Sequence, residues 1–285
     1  MVERKAPLLS LQGAASGGGE LMEASSLAGA LGALLNPWGL SAGTLLWLYV
    51  TMRLAIFVGL ETIAHLICSL LPKLPSREGP TQPYQHPVDS RDLVYLFVNS
   101  FIEFIFAANL VFFGWHSLLV DRTPESLGLL NTVGAVWMIL VCDDMLYAPI
   151  HRLMHLPAVY KYVHKHHHRN TFPSRGYVDG ANEHPFEQMI AMSLHWTALH
   201  ITARTTGLHA AAILAHLVIK ALGAIFNHTG SDLQFRVLGI DYASGAHEMH
   251  HRKPNKNFAQ YVMFWDRLMG TYVPYEVPGG KKNVQ

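Results

Sequence analysis

The sequence predicts an all-α integral membrane protein, in which a bundle of transmembrane helices carries a histidine-rich cap on its cytosolic side. Half of the 285 residues are hydrophobic and only 14% are charged, whereas soluble domains contain about 25% charged residues. Several apolar runs reach the length of about 20 residues that a helix needs to cross a bilayer. The chain also contains 18 histidines, and its dense histidine groups come after such runs.

The rest of the composition argues against other classes. The formal net charge is only +1 at pH 7, so the chain lacks the basic excess of a nucleic-acid-binding surface. The two cysteines, Cys68 and Cys142, lie inside apolar stretches and form no CxxC pair. They provide no disulfide framework, which fits a reducing or membrane setting.

The N-terminal part is predicted to be a tail followed by a first membrane helix. Residues 1–40 are rich in Ala, Gly and Ser and are expected to form a flexible tail or a weak helix. The apolar run 41–71 is long enough to span a bilayer. Arg53 and Glu61 interrupt this run, which predicts a bent helix or an interfacial entry.

The next two segments are a loop and a second apolar run. The proline-rich stretch 72–92 is predicted to be a loop, and the next apolar run covers 93–120. Residues 41–129 therefore form the N-terminal transmembrane region. A second domain is predicted over 130–275, and residues 276–285 form a C-terminal tail.

This second domain contains three further apolar runs, at 130–150, 186–204 and 208–226. The last two are joined only by the short sequence RTTG and are expected to form a hairpin. A hairpin returns the chain to the side that it left, so segments 151–185 and 227–285 face the same side of the membrane.

Basic residues predict which side that is. The segment between the third and fourth apolar runs carries Arg152, Lys161, Lys165, Arg169 and Arg175. Loops rich in Lys and Arg remain in the cytoplasm. All of the dense histidine groups are therefore expected on the cytosolic face.

Three histidine motifs stand out. An HxxxH motif ends the third apolar run, one HxxHH motif lies in HKHHH, and a second lies in HEMHH. These motifs contribute His151, His155, His164, His167, His168, His247, His250 and His251. On a helix, positions i, i+3 and i+4 share one face about 5–6 Å apart. Each motif is therefore predicted to bring two or three imidazoles to one metal.

The number of histidines indicates two metals. Eight exceed the four ligands of a tetrahedral zinc site, and imidazole suits iron, zinc and copper. His184 in NEHPFE and His228 in FNHTG flank the hairpin on the same predicted face and raise the candidate ligands to ten. One HxxHH motif could arise by chance in such a chain, but three motifs on one face favour a metal centre.

Other histidines are predicted not to bind metal. His166 points away from its neighbours on a helix. The hairpin histidines have no clustered spacing and are expected to be packed or water-facing; they are His195, His200, His209 and His216.

Asp144 is the candidate carboxylate for this centre. On an ideal helix it falls within about 20° of His151 and His155, and ligating histidines commonly donate their second N–H to a carboxylate. Pro149 is expected to break or restart this helix two residues before His151. A carboxylate at the interface that simply faces water is the alternative.

The motif set resembles the sterol desaturase and fatty acid hydroxylase superfamily of membrane di-iron oxygenases. The stretches that carry the resemblance are DDMLYAPIHRLMHLPAVYKYVHKHHH, EHPFE, NHTG and HEMHHRKPNKNFAQYVMFWDRLMGTY, from about residue 130 to 275. The motifs are most similar to those of the C-4 methylsterol oxidase and C-5 sterol desaturase branches.

The resemblance implies a four-helix membrane bundle under a cytosolic cap that holds two iron ions. It implies that the protein uses O₂ to oxidise a C–H bond of a lipid, with a sterol as the favoured substrate and electrons from a cytochrome b5-type donor and an NAD(P)H reductase. The ten histidines above would be the iron ligands, while Trp265 and Asp266 would lock the C-terminal cap. The implied location is the endoplasmic reticulum in a eukaryote or the inner membrane in a bacterium.

Alternatives stay open at this point. A fatty-acyl or sphingolipid hydroxylase of the same superfamily fits the motifs, and hydroxylation and desaturation are not distinguished. A membrane metal-ion transporter would also use histidines, although its site is expected near the bilayer midplane. A pH-responsive structural protein would exploit histidine titration, but it does not require clustered spacing.

Overall fold

The computed structural model describes residues 19–75 and 86–277 and is mainly helical. The α-helices are α1 Gly19–Leu35, α2 Ala42–Leu54, α3 Glu61–Leu70, α4 Ser90–His116, α5 Ala135–Met154, α6 Pro157–Val163, α7 Tyr177–Gly180, α8 Pro185–Thr205, α9 Ala210–Asn227, α10 Ser244–Arg252 and α11 Phe264–Met269. The strands are β1 Val120–Asp121, β2 Leu208–His209, β3 Gln234–Val237 and β4 Ile240–Ala243. The described part of the predicted tail 1–40 thus contains helix α1, while residues 1–18 lie outside the described part.

Four helical stretches are long and apolar enough to cross a membrane: Ala42–Leu70, Ser90–His116, Leu130–Met154 and Ala210–Asn227. They correspond to four of the five predicted apolar runs. The remaining run, 186–204, forms α8, which is 21 residues long but is not among these stretches. Its sequence is too polar, with Glu187, His195 and Arg204 among its residues. α8 packs against α4 and α5, so its polar side chains can meet protein rather than lipid.

The two charges that interrupt the first run are paired with protein groups. The helix continues through a π-helical segment, Ala55–Leu60, between α2 and α3. Arg53 Nη1 lies 2.9 Å from Glu103 Oε2 on α4. Glu61 accepts the backbone N–H of Tyr177 at 3.2 Å. These contacts place both charges against the rest of the protein.

The helix directions bring all of the predicted metal ligands to one end of the bundle. α5 and α9 end there, and α8 begins there. At the other end β1 and β2 form a short parallel pair in which Val120 lies opposite Leu208. The apolar core between α4, α5, α8 and α9 includes Leu110, Ile139 and Leu199, all 0% exposed.

Pro149 does not break its helix, in contrast to the prediction. α5 runs without interruption from Ala135 to Met154. The fixed φ of proline is close to the helical value, and only one backbone hydrogen bond is lost. α5 packs extensively against α8, and this packing keeps the chain helical past Pro149. His151 of the HxxxH motif therefore lies in the same helix.

The cap consists of the β3–β4 hairpin, α10, the loop 257–262 and α11. Asp266, which is 0% exposed, accepts the backbone N–H groups of Phe258 at 2.8 Å and Ala259 at 2.7 Å. The indole N–H of Trp265 donates to the carbonyl of Val141 on α5 at 3.1 Å. These two residues therefore fasten the cap loop and connect it to the bundle.

Candidate metal centre

Nine of the ten predicted ligands form two adjacent clusters at the cap end of the bundle. The five-histidine cluster contains His151, His155, His164, His168 and His250. The four-histidine cluster contains His167, His228, His247 and His251. Within each cluster, one ligand atom from every residue lies within 4.8 Å of the others, which is close enough to surround a single ion.

Each HxxHH motif supplies both clusters, contrary to the expectation that one motif would converge on one metal. His164 and His168 belong to the five-histidine cluster, whereas His167 points into the other. α6 ends at Val163, and the first HxxHH motif continues as a turn and a 3₁₀ segment at His167–Arg169. The predicted single helical face is therefore absent, because the helix stops before the motif begins.

The second HxxHH motif lies on α10 and also contributes to both clusters, but with two of its histidines in the four-histidine cluster. His250 joins the five-histidine cluster, while His247 and His251 join the four-histidine cluster. The imidazole centroids of His168 and His251 are 4.6 Å apart, so the two clusters touch.

Backbone carbonyls orient several of the rings. The Nδ1–H of His151 donates to Phe258 O at 2.8 Å, that of His250 to Lys256 O at 2.7 Å, and that of His228 to Ala224 O at 2.7 Å. In each ring Nε2 then carries the lone pair. Carbonyls of this kind fix the tautomer of metal-ligating histidines.

The spacing between ring nitrogens fits metal ligation. His151 Nε2 and His168 Nε2 both lie 2.9 Å from His164 Nε2. His228 Nε2 and His251 Nε2 both lie 3.1 Å from His247 Nε2. Two nitrogens bound at right angles to a metal at about 2.1 Å are separated by about 3 Å. Lone pairs facing each other at this distance repel unless a cation lies between them.

Further buried nitrogens lack a hydrogen-bond partner in the described part of the chain. They include His155 Nε2, His167 Nδ1, His168 Nδ1, His250 Nε2 and His251 Nδ1. Unsatisfied buried polar atoms are rare in native proteins. His155 Nε2 and His250 Nε2 lie in the five-histidine cluster, where a bound ion would supply the missing partner.

The clusters favour the neutral imidazole that a metal requires. Burial, and then the neighbouring imidazoles, hold the pKa values of His167, His168 and His250 well below the ordinary value. Burial likewise lowers the pKa of His155 to about 3. Neutral imidazole is the ligating form, so these rings can bind a cation at neutral pH without losing protons.

Glu187 is a site residue that the sequence interpretation missed. Its Oε1 lies 2.6 Å from His164 Nδ1, and the two side chains are 1% and 0% exposed. A carboxylate at this position orients the ring and increases its basicity. The sequence does contain a signal, since Glu187 closes the EHPFE motif one turn after His184.

Asp144 occupies a different position from the one predicted. Its carboxylate accepts the backbone N–H groups of Gln260 at 3.0 Å, Tyr261 at 2.6 Å and Val262 at 2.5 Å, rather than an imidazole N–H. Asp144 thus holds the cap loop whose Phe258 carbonyl orients His151. Its effect on the candidate ligand is indirect.

His184 and His166 stay outside both clusters. His184 caps the N-terminus of α8, where its Nδ1 accepts the backbone N–H of Phe186 at 3.1 Å. His166 Nε2 lies 2.9 Å from Asp92 Oδ1, in line with its predicted lack of a ligand role. The structure therefore does not bring His184 to the metal centre.

The four hairpin histidines also lie outside the two clusters, although His195 and His216 form a third group with Asp143. His200 Nδ1–H donates to Trp196 O at 2.9 Å, and the His209 side chain accepts the N–H of Ala211 at 3.1 Å. His195 and His216 are both 0% exposed and lie together in the bundle.

A cavity of about 330 Å³ connects the centre with the bundle interior. His167, His228 and His247 line one end, and Met192 and Leu217 lie among the apolar residues that line its deeper part. The cavity therefore gives an apolar molecule access to the four-histidine cluster.

The fold and the site together define a bundle of apolar helices with two adjacent histidine clusters at one end and an apolar cavity beside them. Residues 135–271 match the family described as fatty acid hydroxylase. The matched segment is just under half of the chain and is similar to that family, in agreement with the resemblance of the motifs. Together with the four apolar helical stretches, the match identifies an integral membrane protein.

Several curated relatives are similar to this segment. Methylsterol monooxygenase 1 of Rattus norvegicus is 30% identical over 47% of this chain and 45% of the relative. Sphingolipid C4-hydroxylase sur2 of Schizosaccharomyces pombe is 32% identical over 46% of each protein. A cholesterol 25-hydroxylase-like protein of Danio rerio is 28% identical over 60% of this chain and 67% of the relative.

The alignment thus spans less than half of the first two of these relatives. No solved structure matches the chain.

Proposed function

We propose that the chain is a non-haem di-iron oxygenase of the membrane, which uses O₂ and externally supplied electrons to oxidise a C–H bond of a lipid. A sterol or sterol-like substrate is preferred, and a sphingolipid or fatty-acyl chain is the alternative. For hydroxylation, the balance is one O₂, one C–H bond, two electrons and two protons, which yield a C–OH group and water. Desaturation instead removes two hydrogens from adjacent carbons.

The observation that carries this proposal is a pair of adjacent histidine clusters, one of which opens onto an apolar cavity. Three residues of the four-histidine cluster line that cavity. A pair of redox-active metals held by the two clusters would supply the one-electron chemistry that unactivated C–H bonds require. The names of the relatives support a lipid substrate, and sterols occur in two of the three names given above.

The protein's own residues would position the reactants. The carbonyls behind His151, His228 and His250 hold the imidazoles in one tautomer. The apolar cavity wall would exclude water and align the lipid beside the four-histidine cluster. Tyr147 and Gln260 are among the polar residues that line the cavity.

The electron donor is proposed to be a cytochrome b5-type protein that docks on the cytosolic face. The basic residues near the histidine clusters are not equivalent as docking sites for this donor. Arg169 pairs with Asp92 at 2.8 Å, and Lys253 pairs with Glu276 at 2.6 Å. Lys161 and Lys165 have no salt bridge within the described residues and are the better candidates for an acidic partner. In a eukaryote the membrane would be that of the endoplasmic reticulum.

The test combines metal analysis with lipid profiling. We expect about two irons per purified chain, and a lipid product in a host only when the chain, O₂ and an electron donor are present. His167→Ala should lower the iron content and abolish the product. His200→Ala is the matched control, because His200 lies outside both clusters. This variant should retain its iron and the lipid product.

The transporter alternative makes the opposite prediction. It requires metal-dependent flux across vesicles that contain the chain, without O₂ consumption or a lipid product. Such a result, or full lipid oxidation by chain that has been stripped of metal, would refute the proposed function.

A further inference from the structure

A layer of ionisable side chains crosses the bundle below the metal centre. Lys220 Nζ on α9 lies 2.7 Å from Asp143 Oδ2 on α5. The same carboxylate oxygen lies 3.4 Å from His195 Nδ1 on α8. His216 Nε2 lies 3.2 Å from that nitrogen, and the two imidazoles stack with centroids 4.5 Å apart. The layer therefore links three helices.

This layer lies deep in the membrane part of the protein. Lys220 precedes Asn227, the last residue of α9, by seven positions on a helix that rises about 1.5 Å per residue, so it lies about 10 Å below the metal end. Ionisable side chains at membrane depth are costly, and they usually mark a functional site.

The layer is a poor metal site. Asp143, His195 and His216 have ligand atoms close enough to surround an ion. However, the Lys220 ammonium already contacts the only carboxylate of this group. A second cation there would be repelled by Lys220, and Asp143 would have to exchange partners.

Lys220 also faces the cavity that leads to the metal centre. Its side chain is 16% exposed, and it lines the cavity beside Leu217 and Ala221. An ion pair that served only to join α5 and α9 would not need an opening onto an apolar cavity. The ammonium has three N–H donors, of which Asp143 accepts one.

We propose that Lys220 is the anchor for the hydroxyl group of a neutral lipid, which lies in the cavity with its hydroxyl about 10 Å from the metal end. This inference rests on the proposed function and narrows its substrate class. Asp143 already balances the charge of Lys220, so a neutral hydroxyl adds no net charge. A free carboxylate would place a second anion beside Asp143 in a low-dielectric site, which is unfavourable. The oxidised carbon would then be remote from the hydroxyl.

The first test measures binding to the full-length, metal-loaded chain in phosphatidylcholine nanodiscs. Tritiated cholesterol and hexadecanol are the probes, and cholestane, hexadecane and palmitic acid are the competitors. We expect each alcohol to bind about tenfold more tightly than its hydrocarbon, and palmitic acid to compete less well than hexadecanol. Equal binding of alcohol and hydrocarbon, or stronger binding of palmitic acid, would overturn the inference.

Variants test whether Lys220 causes the tighter binding of the alcohol. The double variant Asp143→Asn/Lys220→Met removes both charges together, and it should bind alcohol and hydrocarbon equally. Leu214→Met is the control, because Leu214 lies on the same helix but is 60% exposed, and it should keep the preference. A folded double variant that still prefers the alcohol tenfold would refute the role of Lys220.

A second measurement needs no variant. Cholesterol with a diazirine beside the hydroxyl should label the α9 peptide around Lys220, whereas a diazirine at the far end of the side chain should label the peptides that contain His228 and His247. The reverse pattern would show that the hydroxyl lies at the metal end and would overturn the inference. Alcohol-specific binding without any lipid oxidation would support the inference and refute only the proposed function.

Discussion

Replacing Asp144 by asparagine should weaken both the cap and the five-histidine cluster. Asp144 is 1% exposed, and its two oxygens accept three backbone N–H groups of residues 260–262 at 2.5 to 3.0 Å. Asparagine has the same shape but only one acceptor oxygen, and its NH₂ group would face a backbone donor. At least one N–H of the loop would therefore lose its acceptor.

The expected loss follows from these contacts. A buried donor without a partner costs about 1–3 kcal/mol, and a hydrogen bond to a charged group contributes about 1.5–3 kcal/mol. The variant should therefore lose about 2–4 kcal/mol of unfolding free energy. The same loop carries the Phe258 carbonyl that orients His151. Disturbing such a supporting contact typically lowers metal affinity about 10- to 100-fold.

The assay measures bound metal against a competing chelator, and the unfolding free energy by denaturant titration in detergent. Asp143→Asn is the matched control, because it makes the same change one residue away. Asp143 contacts Lys220 and His195 rather than the cap loop. That control should lose stability but keep its metal affinity. Unchanged metal affinity in a folded Asp144→Asn variant would refute the indirect role of Asp144.

Three further predictions concern the other buried contacts. Glu187→Gln should lower metal affinity at the five-histidine cluster about 10- to 100-fold by removing the carboxylate behind His164, and unchanged affinity in the chelator assay would contradict this. Gly223→Ala should cost about 1–3 kcal/mol, since an added Cβ would lie 2.5 Å from a ring carbon of Tyr261; denaturant titration would detect it. Burial raises the pKa of Glu183 to about 8. The unfolded chain releases this proton near pH 4.5, so the wild type should lose up to about 1.4 kcal/mol per pH unit between these values. Glu183→Gln should reduce that slope, and an identical pH profile would show that Glu183 does not titrate in this way.

Local patterns in the sequence were sufficient to predict most of the helices and all nine histidines of the two clusters. The apolar runs predict the membrane helices because lipid exposure requires a long apolar surface. α8 departs from this rule because packing against α4 and α5 shelters its polar side chains. Pro149 departs from the expected helix break for a similar reason, since tertiary packing outweighs one lost hydrogen bond.

The division of the histidines between two clusters could not be predicted from spacing. The i, i+3, i+4 argument holds only if the motif is helical, and α6 ends at Val163 before the first HxxHH motif begins. The contacts of Glu187 with His164 and of Asp144 with the cap loop join residues distant in the chain. Such contacts depend on the tertiary arrangement, which a single sequence does not specify.

The shared motifs make the two clusters interdependent. His167 lies between His164 and His168 in the chain, yet it belongs to the other cluster. Neighbouring rings on the short 3₁₀ segment His167–Arg169 share one stretch of backbone. An ion in either cluster therefore also restrains the ligands of the other. On α10 His250 and His251 are divided in the same manner. Binding of the first ion therefore orders part of the second site in advance, and this reduces the conformational entropy that the second ion must overcome. The two sites should consequently fill together rather than one after the other.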